Sequence, residues 1–309
     1  MTNLTDLSHR RSVGRTAIRR AAEAVATAII RAAGWTAIVV LAAIALFLAW
    51  NSLRALDEVG IASILTGTSW YPTSDPGKFG AAPLVLGSLL VTVVALVVCV
   101  PVGLAAAVFL SEFAPRRFNE VSKAVIEFMA AVPSVVYGLV GVALVVPSVK
   151  SAFGLDSGLT ALSGGIVLGI MALPTVVSIS EDALHAVPSS LRHASLALGN
   201  TRWQTTYKVT IPAASSGIFA AVMLGVGRAI GETMAVLMLT GNAAVMPKTV
   251  LESVRTMTGT IAAEMGEVVQ GGLHYSVLFV VGLILFVVTF AINLAADVVL
   301  ERQRKRWGA

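Results

Sequence analysis

Two oppositely charged residues lie inside a long apolar stretch of the sequence, residues 213–241. Arg228 falls about 15 residues after the start of this stretch, and Glu232 follows four residues later. In a continuous helix, residues at this spacing lie on the same face. A charge at the bilayer centre costs roughly 2.5–3.5 kcal/mol, so the pair should line a cavity or a helix interface. Arg228 can then offer its planar fork of donors to an anion crossing the membrane, with Glu232 holding the fork in place.

The same pair allows a structural interpretation, in which an ion pair within one helix cancels its own charge and stabilises the bundle. Arginine before glutamate is the less favourable order at this spacing. Ionisable groups inside a membrane are also commonly functional. Nearby glycines would allow a close backbone approach or form a pore wall. The residues that we expect to line a translocation path are Arg228, Glu232, Thr233, Gly227 and Gly231.

Other kinds of chemistry are missing from the sequence. The only Gly-Lys pair, Gly77-Lys78, lacks the spacing of a phosphate-binding GxxxxGK[ST] loop. There is no HExxH motif, and the single cysteine, Cys99, has no partner for a disulfide or a metal cluster. The four histidines lie outside the centres of the apolar stretches. We therefore predict no catalytic residues, no metal site and no enzymatic activity in this chain.

Composition indicates an integral membrane protein made of helices. Of the 309 residues 56% are apolar and 13% charged, and the mean hydropathy is +0.85. Apolar runs long enough to cross a bilayer recur along the chain. The six predicted spans are residues 32–53, 82–111, 124–148, 159–180, 213–241 and 275–300. The first is too long, and its lead too polar and basic, for a cleaved signal peptide.

Basic residues outside the spans give the predicted orientation. Sixteen lie on the side of the two termini, the short basic loop 112–123 and the loop 181–212, against five on the other side. The positive-inside rule places the first side in the cytoplasm. This asymmetry accounts for the net charge of +5 without any nucleic acid partner. The predicted segments are a cytoplasmic basic tail (1–31), the first span with an outside loop (32–81), a transmembrane core (82–300) and a basic tail (301–309).

The loop 181–212 is the one long polar segment between apolar runs. Its pattern predicts two short amphipathic helices, the first capped by Ser189 and the second by Thr201. Gly199 suits a left-handed position between them and would act as a hinge. Pro212 fits the first turn of the next long helix. A helical hairpin of this kind on the cytoplasmic side indicates a surface for a partner protein.

Prolines and aromatic residues suggest further features. Pro101 in span 2 and Pro133 in span 3 predict bends inside the membrane. Trp70 and Tyr71 are expected at the level of the lipid headgroups. The outside loop 242–274 could hold a short helix around residues 248–265.

The polar loop resembles the EAA-x3-G-x9-I-x-L-P signature of permeases from binding-protein-dependent ABC importers. His193-Ala194-Ser195, Gly199 and Val209-Thr210-Ile211-Pro212 reproduce its spacing, with His193 and Ser195 replacing a glutamate and an alanine. The resemblance implies a type I importer permease fold and a coupling helix that docks on an ATPase subunit. The docking residues would be Leu191, Arg192, His193, Ala194, Ser195, Leu198, Gly199, Trp203 and Tyr207.

Within these importers, residues 65–300 resemble phosphate permeases, the PstC type above all. GRAIGET (227–233) resembles both the PstC and PstA types. PSVVYGLVG (133–141), GEVVQGGLHYSVLF (266–279) and the Phe286, Phe290, Asn293 pattern resemble the PstC type more. The resemblance implies a multi-pass protein of the bacterial inner membrane and a role for Arg228 and Glu232 in transport.

The resemblance also implies partners. These are a PstA-like permease subunit, a PstB-like ATPase dimer that binds ATP and magnesium, and a periplasmic PstS-like phosphate-binding protein; no cofactor binds to this chain itself. Because one arginine shared with Glu232 cannot balance phosphate, we expect a second cation from the partner permease.

Three alternatives to phosphate import differ in what they predict. A permease for another oxyanion (sulfate, molybdate or phosphonate) would share the polar loop and differ in the anions that compete for uptake. A proton-coupled secondary carrier would lose uptake with the proton gradient. A scaffold or signalling protein would keep its function after Arg228→Ala. We find no inverted repeat, which argues against the secondary carrier.

Overall fold

The computed structural model describes residues 4–307, with side chains for residues 23–301. The chain divides into two compact units, one ending at Asn51 and the other beginning at Ser52. Helix α1 (Leu4–Glu58) contains the whole first predicted span. The side chains of most of the predicted N-terminal tail, and of residues 302–309, lie outside the described residues.

The second unit is mainly helical and contains one short hairpin. Its first elements are α2 (Ile61–Thr66), β1 (Trp70–Tyr71), β2 (Lys78–Phe79) and α3 (Ala82–Val108). Then follow α4 (Arg116–Ala131), α5 (Ser134–Val140), α6 (Val146–Phe153), α7 (Ala161–His185), α8 (Ser189–Ala197) and α9 (Arg202–Thr205). The last are α10 (Ile211–Ala213), α11 (Ser215–Gly231), α12 (Met234–Leu239), α13 (Met257–Glu264) and α14 (Leu273–Trp307). π-Helical turns occupy Phe109–Phe113, Gly141–Val145 and Thr206–Thr210.

Five helices of the described chain are long and apolar enough to cross a membrane. They lie at Glu23–Glu58, Ala82–Phe113, Ser134–Phe153, Ala161–His185 and Leu273–Glu301. Residues Arg202–Ala213 and Ser215–Gly231, bent by 70° between them, make a sixth when counted as one span. Pro101 lies inside α3 and Pro174 inside α7, and neither interrupts its helix.

The centre of the unit is a glycine-lined contact between α3 and α7, which run side by side in the same direction. A Cβ atom at Gly169 would lie 2.9 Å from the side chain of Val98, and one at Gly103 would lie 2.9 Å from Val176. Gly165 meets Val94 in the same way. Glycine is required here because any side chain would force the helices apart. We call this contact the glycine seam.

Helix α11 also packs on α7 and runs in the opposite direction to it. Gly225 of α11 lies against Val176, and Gly217 lies against Ala183 nearer the far end of α7. This arrangement brings the last turn of α11 to the middle of α7. The position of α11 therefore fixes where the charged residues of the predicted path lie.

The third predicted span begins later than expected and is broken. α4 ends at Ala131, and α5 begins after Pro133, because proline lacks an N–H donor and disfavours a helical residue before it. The hydroxyl of Tyr137 donates to the carbonyl of Met129 across the break, at 2.8 Å. The apolar span is Ser134–Phe153 rather than 124–148. Pro133 thus interrupts the helix, but it lies before the span and does not bend it from within.

The segment predicted as a short basic loop, residues 112–123, instead enters helix α4. Lys123 of α4 pairs with Glu181 at 2.7 Å and with Asp182 at 3.3 Å, both at the end of α7. The hydrogen bond to Glu181 raises the pKa of the Lys123 ammonium above its ordinary value. These contacts attach α4 to α7.

At the opposite end of α7 the short hairpin packs on the segments that follow α12. Trp70 is 1% exposed, and its indole N–H donates to the carboxylate of Glu264. Arg255 and His274 contact the same carboxylate at 2.6 and 2.8 Å. Trp70 therefore lies in the protein interior, whereas its neighbour Tyr71 is exposed. Helix α13 lies within the region 248–265 that the sequence favours for a helix.

Candidate functional site

Arg228 lies in the last turn of α11, beside the middle of α7. Its Nη1 atom donates to the hydroxyl of Thr175 at 3.3 Å, and its side chain is half-buried. Tyr137 of α5 is close enough to interact with it electrostatically. In the part of the chain that the structure describes, no carboxylate lies within 4.0 Å of the Arg228 guanidinium. One neutral hydroxyl therefore orients the fork, and most of its donors are left for another ligand.

Glu232 is not on the same helix face as Arg228, because α11 ends at Gly231. The backbone of Glu232 is extended, with φ −70° and ψ 137°, and α12 begins at Met234. The Oε1 atom of Glu232 accepts from the amide of Ala235 at 3.3 Å. Its carbonyl accepts from the hydroxyl of Thr258 at 2.8 Å. The predicted ion pair between Arg228 and Glu232 is therefore wrong: Glu232, the residue before the N-cap Thr233, instead caps the first turn of α12 through the Ala235 amide.

This geometry predicts that Glu232 acts through its oxygen rather than through its charge. Glu232→Gln keeps an acceptor for the Ala235 amide, so we expect thermal stability and transport close to those of the unmodified chain. Glu232→Ala loses the cap and should cost about 0.5–2 kcal/mol of stability. Thermal denaturation of the purified protein and an uptake assay would measure both variants. A loss of transport with Glu232→Gln equal to that with Glu232→Ala would show that the charge is needed.

The glycines around the break divide into two groups. Gly225 packs against Val176, whereas Gly227 and Gly231 are exposed and a Cβ atom there would have no neighbour within 4 Å. Thr233 lies in the break, where its hydroxyl donates to the carbonyl of Gly231 at 3.4 Å. One side of the last turn of α11 is thus open. Of the predicted path residues, Arg228, Glu232, Thr233, Gly227 and Gly231, the structure brings all five together around the interruption of the helix.

The polar loop forms a compact helical hairpin, which we call the elbow (residues 189–210). Ser189 does not cap α8, because Pro188 is the residue before the helix and makes no side-chain cap. Gly199 has φ +84°, as predicted. Thr201 caps α9 in a capping box with Gln204. Pro212 lies in the first turn of the short helix α10, not of the long helix α11.

The elbow has an exposed apolar surface. Leu198 is 84% and Trp203 59% exposed. The other predicted docking residues with exposed side chains are Leu191, His193, Ala194 and Tyr207. Exposed aromatic and aliphatic groups of this kind mark protein interaction sites.

Two predicted docking residues turn inward instead. Arg192 pairs with Glu112 at 2.9 Å and donates to the carbonyls of Leu184 and Val187. Ser195 is buried against the second half of the elbow. Motif spacing located both residues, but only the packing of α8 decides which of its faces is free. Glu112, Thr175 and Thr258 are contacts that sequence reasoning did not assign to the site.

The described residues contain no cluster of three His, Cys, Asp or Glu side chains that could hold a metal ion. Cys99 is buried among Ala172 and Val176. It packs there as a small apolar residue.

Several relatives are similar to this chain in sequence. "Probable ABC transporter permease protein YqgH" of Bacillus subtilis is 40% identical over 250 residues, which are 80% of this chain and 81% of that protein. "Phosphate transport system permease protein PstC" of Mesorhizobium japonicum is 35% identical over 306 residues, 93% and 92% of the two chains. "Phosphate transport system permease protein PstC 2" of Mycobacterium tuberculosis is also 35% identical, over 290 residues, 86% of this chain and 87% of that protein.

Two solved importers share the fold at low sequence identity. The MetNI methionine ABC transporter matches with a TM-score of 0.56 and 22% identity, over 71% of this chain and 94% of that chain. A bacterial alginate ABC transporter matches with a TM-score of 0.58 and 15% identity, over 82% and 86%. The helical core described above is thus a type I ABC importer permease fold. Residues 99–306 match the family "Binding-protein-dependent transport system inner membrane component", and the chain belongs to this family.

Proposed function

We propose that this chain is a permease subunit of an ATP-driven importer of inorganic phosphate. The observation that carries the proposal is the combination of phosphate-system relatives over nearly the whole chain with an arginine in an apolar helix whose fork has no carboxylate partner among residues 23–301. Phosphate carries one to two negative charges at neutral pH, and a guanidinium binds such an oxyanion through two parallel hydrogen bonds. A free fork suits this ligand better than one already paired with Glu232.

The open side of α11 supports a pathway shared with a second permease subunit. Gly227 and Gly231 leave that side without bulky groups beside Arg228. We propose that a homologous PstA-like subunit covers it and contributes a second cation, so that the anion meets converging donors only in the assembled pair. One guanidinium cannot balance a doubly charged phosphate.

We further propose that the elbow faces the cytoplasm, together with both termini, and binds an ATPase subunit of the PstB type. The distribution of basic residues and the exposed apolar groups of the elbow support this orientation. ATP and magnesium would bind to that ATPase and not to this chain. A periplasmic PstS-like protein would deliver phosphate to the opposite side.

The test is uptake of labelled phosphate into vesicles that contain the purified complex, with ATP and the binding protein supplied. We expect uptake that requires ATP, survives collapse of the proton gradient and is not reduced by excess sulfate, molybdate or phosphonate. Competition by one of these anions would favour a permease for that oxyanion. Uptake that follows the proton gradient and ignores ATP would contradict the proposal.

A further inference from the structure

The turn between the two halves of the elbow has a fixed backbone geometry. The amide of Gly199 donates to the carbonyl of Leu196 at 3.0 Å, and the amide of Asn200 donates to the carbonyl of Ser195 at 3.3 Å. With Gly199 at φ +84°, these bonds form a Schellman motif, which ends a helix in a defined direction. Gly199 is thus a helix cap held by two hydrogen bonds, which argues against the free hinge that its residue type suggests.

The hydroxyl of Ser195 joins the two halves of the elbow across this turn, the first half being α8 and the second α9 with the π-helical turn after it. It lies 2.9 Å from the hydroxyl of Thr205 at the end of α9, and it accepts from the side-chain amide of Asn200 at 3.1 Å. Ser195 is 5% exposed, and Thr205 is also buried. A buried hydroxyl without a partner is costly, so a change of this angle would take the Ser195 hydroxyl away from Thr205 and leave Ser195 with Asn200 alone. An alanine at position 195 could not make these bonds.

The two halves of the elbow share one contact with the segment after α3, where Trp203 packs on Phe113 at 6.0 Å between ring centroids, but they differ in their other attachments. Arg192 ties α8 to Glu112 after α3, and to the carbonyl of Leu184 near the end of α7. The second half continues through the π-helical turn Thr206–Thr210 and α10 towards α11, the helix that carries Arg228. The bond between Ser195 and Thr205 therefore connects the part anchored on α3 and α7 with the part that leads to the anion-binding residue.

We propose that Ser195 is a positioning residue that makes the elbow a rigid lever, so that a displacement of its exposed surface reaches α11 without bending at Gly199. The inference rests on the proposed function, because the displacement comes from an ATPase bound to the elbow. Without the Ser195 hydroxyl the two halves can change their angle, and part of the displacement is absorbed in the turn. ATP hydrolysis then continues while transport per ATP falls.

The experiment measures ATP hydrolysis and phosphate uptake together in vesicles containing the whole complex. We expect Ser195→Ala to lower uptake per ATP hydrolysed by about three- to tenfold, the effect of losing one buried hydrogen bond. Thr205→Val removes the other hydroxyl at nearly constant shape and should have the same effect. Thr205→Ser restores a hydroxyl and should recover coupling. Ser190→Ala, which removes an exposed hydroxyl from the same helix, is the matched control and should leave the ratio unchanged.

Combining Ser195→Ala with Thr205→Val tests whether both residues act through the bond between them. If they do, the double variant should lower uptake per ATP hydrolysed no further than either single variant. Hydrogen–deuterium exchange of residues 189–210 gives a readout that does not depend on transport. Exchange should be faster in Ser195→Ala and Thr205→Val than in Thr205→Ser.

An unchanged uptake-to-ATP ratio, or a parallel fall of uptake and ATP hydrolysis, would overturn the inference. If the unmodified complex hydrolyses ATP but moves no phosphate, the proposed function fails instead. Hydrogen exchange then decides on the rigid elbow, and unchanged exchange in both hydroxyl-deleted variants would overturn it.

Discussion

Arg228→Lys is expected to lower phosphate uptake by roughly 10- to 100-fold, the effect of losing one charge-assisted hydrogen bond to the anion. Lysine keeps the positive charge but cannot offer the planar pair of donors that matches an oxyanion. Because the Arg228 side chain bonds the Thr175 hydroxyl and pairs with no carboxylate of the described residues, the change breaks no ion pair in that part of the chain. Uptake of labelled phosphate into vesicles, with the amount of assembled complex measured in parallel, would test this expectation.

Two further variants, Arg228→Ala and Thr175→Val, show whether the fall in phosphate uptake comes from the charge of Arg228 or from its geometry. Removing the cation altogether should abolish uptake while the complex still assembles, since the charge is not needed to pair with Glu232. Thr175→Val removes the group that orients the fork but leaves the fork itself, so uptake should fall less than in Arg228→Lys. Normal uptake by Arg228→Lys would show that the sign of the charge matters and its geometry does not.

Leu198→Asp is expected to prevent stable binding of the ATPase subunit. Leu198 is 84% exposed at the tip of the elbow, so burying it on a partner would contribute about 1.5–3 kcal/mol, and a carboxylate there adds the cost of desolvating a charge. We expect affinity for the ATPase to fall at least about tenfold, with ATP-dependent uptake lost. Co-purification of the tagged chain with the ATPase would measure the loss.

The exposed position of Leu198 allows a clean control. Leu198→Met preserves apolar contact area and should bind the ATPase normally. The melting temperature of both variants should match that of the unmodified chain, because the side chain makes little contact within the protein. Retention of the ATPase by Leu198→Asp would place the docking surface elsewhere on the chain.

Local sequence signals predicted the parts of the structure that depend on neighbouring residues. Gly199 and Thr201 lie where their conformational and capping preferences placed them, and Pro133 separates two helices. Each of these features is decided within a few residues of the chain.

Features set by distant contacts could not be predicted in this way. The interruption after Gly231 depends on Thr258, which binds the Glu232 carbonyl from 26 positions further along the chain. The inward orientation of Arg192 depends on Glu112, 80 positions away. A pattern of i and i+4 charges assumes an unbroken helix, and only the packed structure reveals that this assumption fails at the charged residues.

The glycine seam between α3 and α7 restricts where the molecule can change shape. Helices whose backbones touch have no intervening layer of side chains that could exchange rotamers, so sliding one past the other would immediately bring Val98 and Val176 into collision with the neighbouring main chain. α3 and α7 should therefore move together as one rigid body during a transport cycle. Conformational change should occur instead at the interrupted segments, at Pro133 and at Glu232, where the backbone already lacks continuous helical hydrogen bonding.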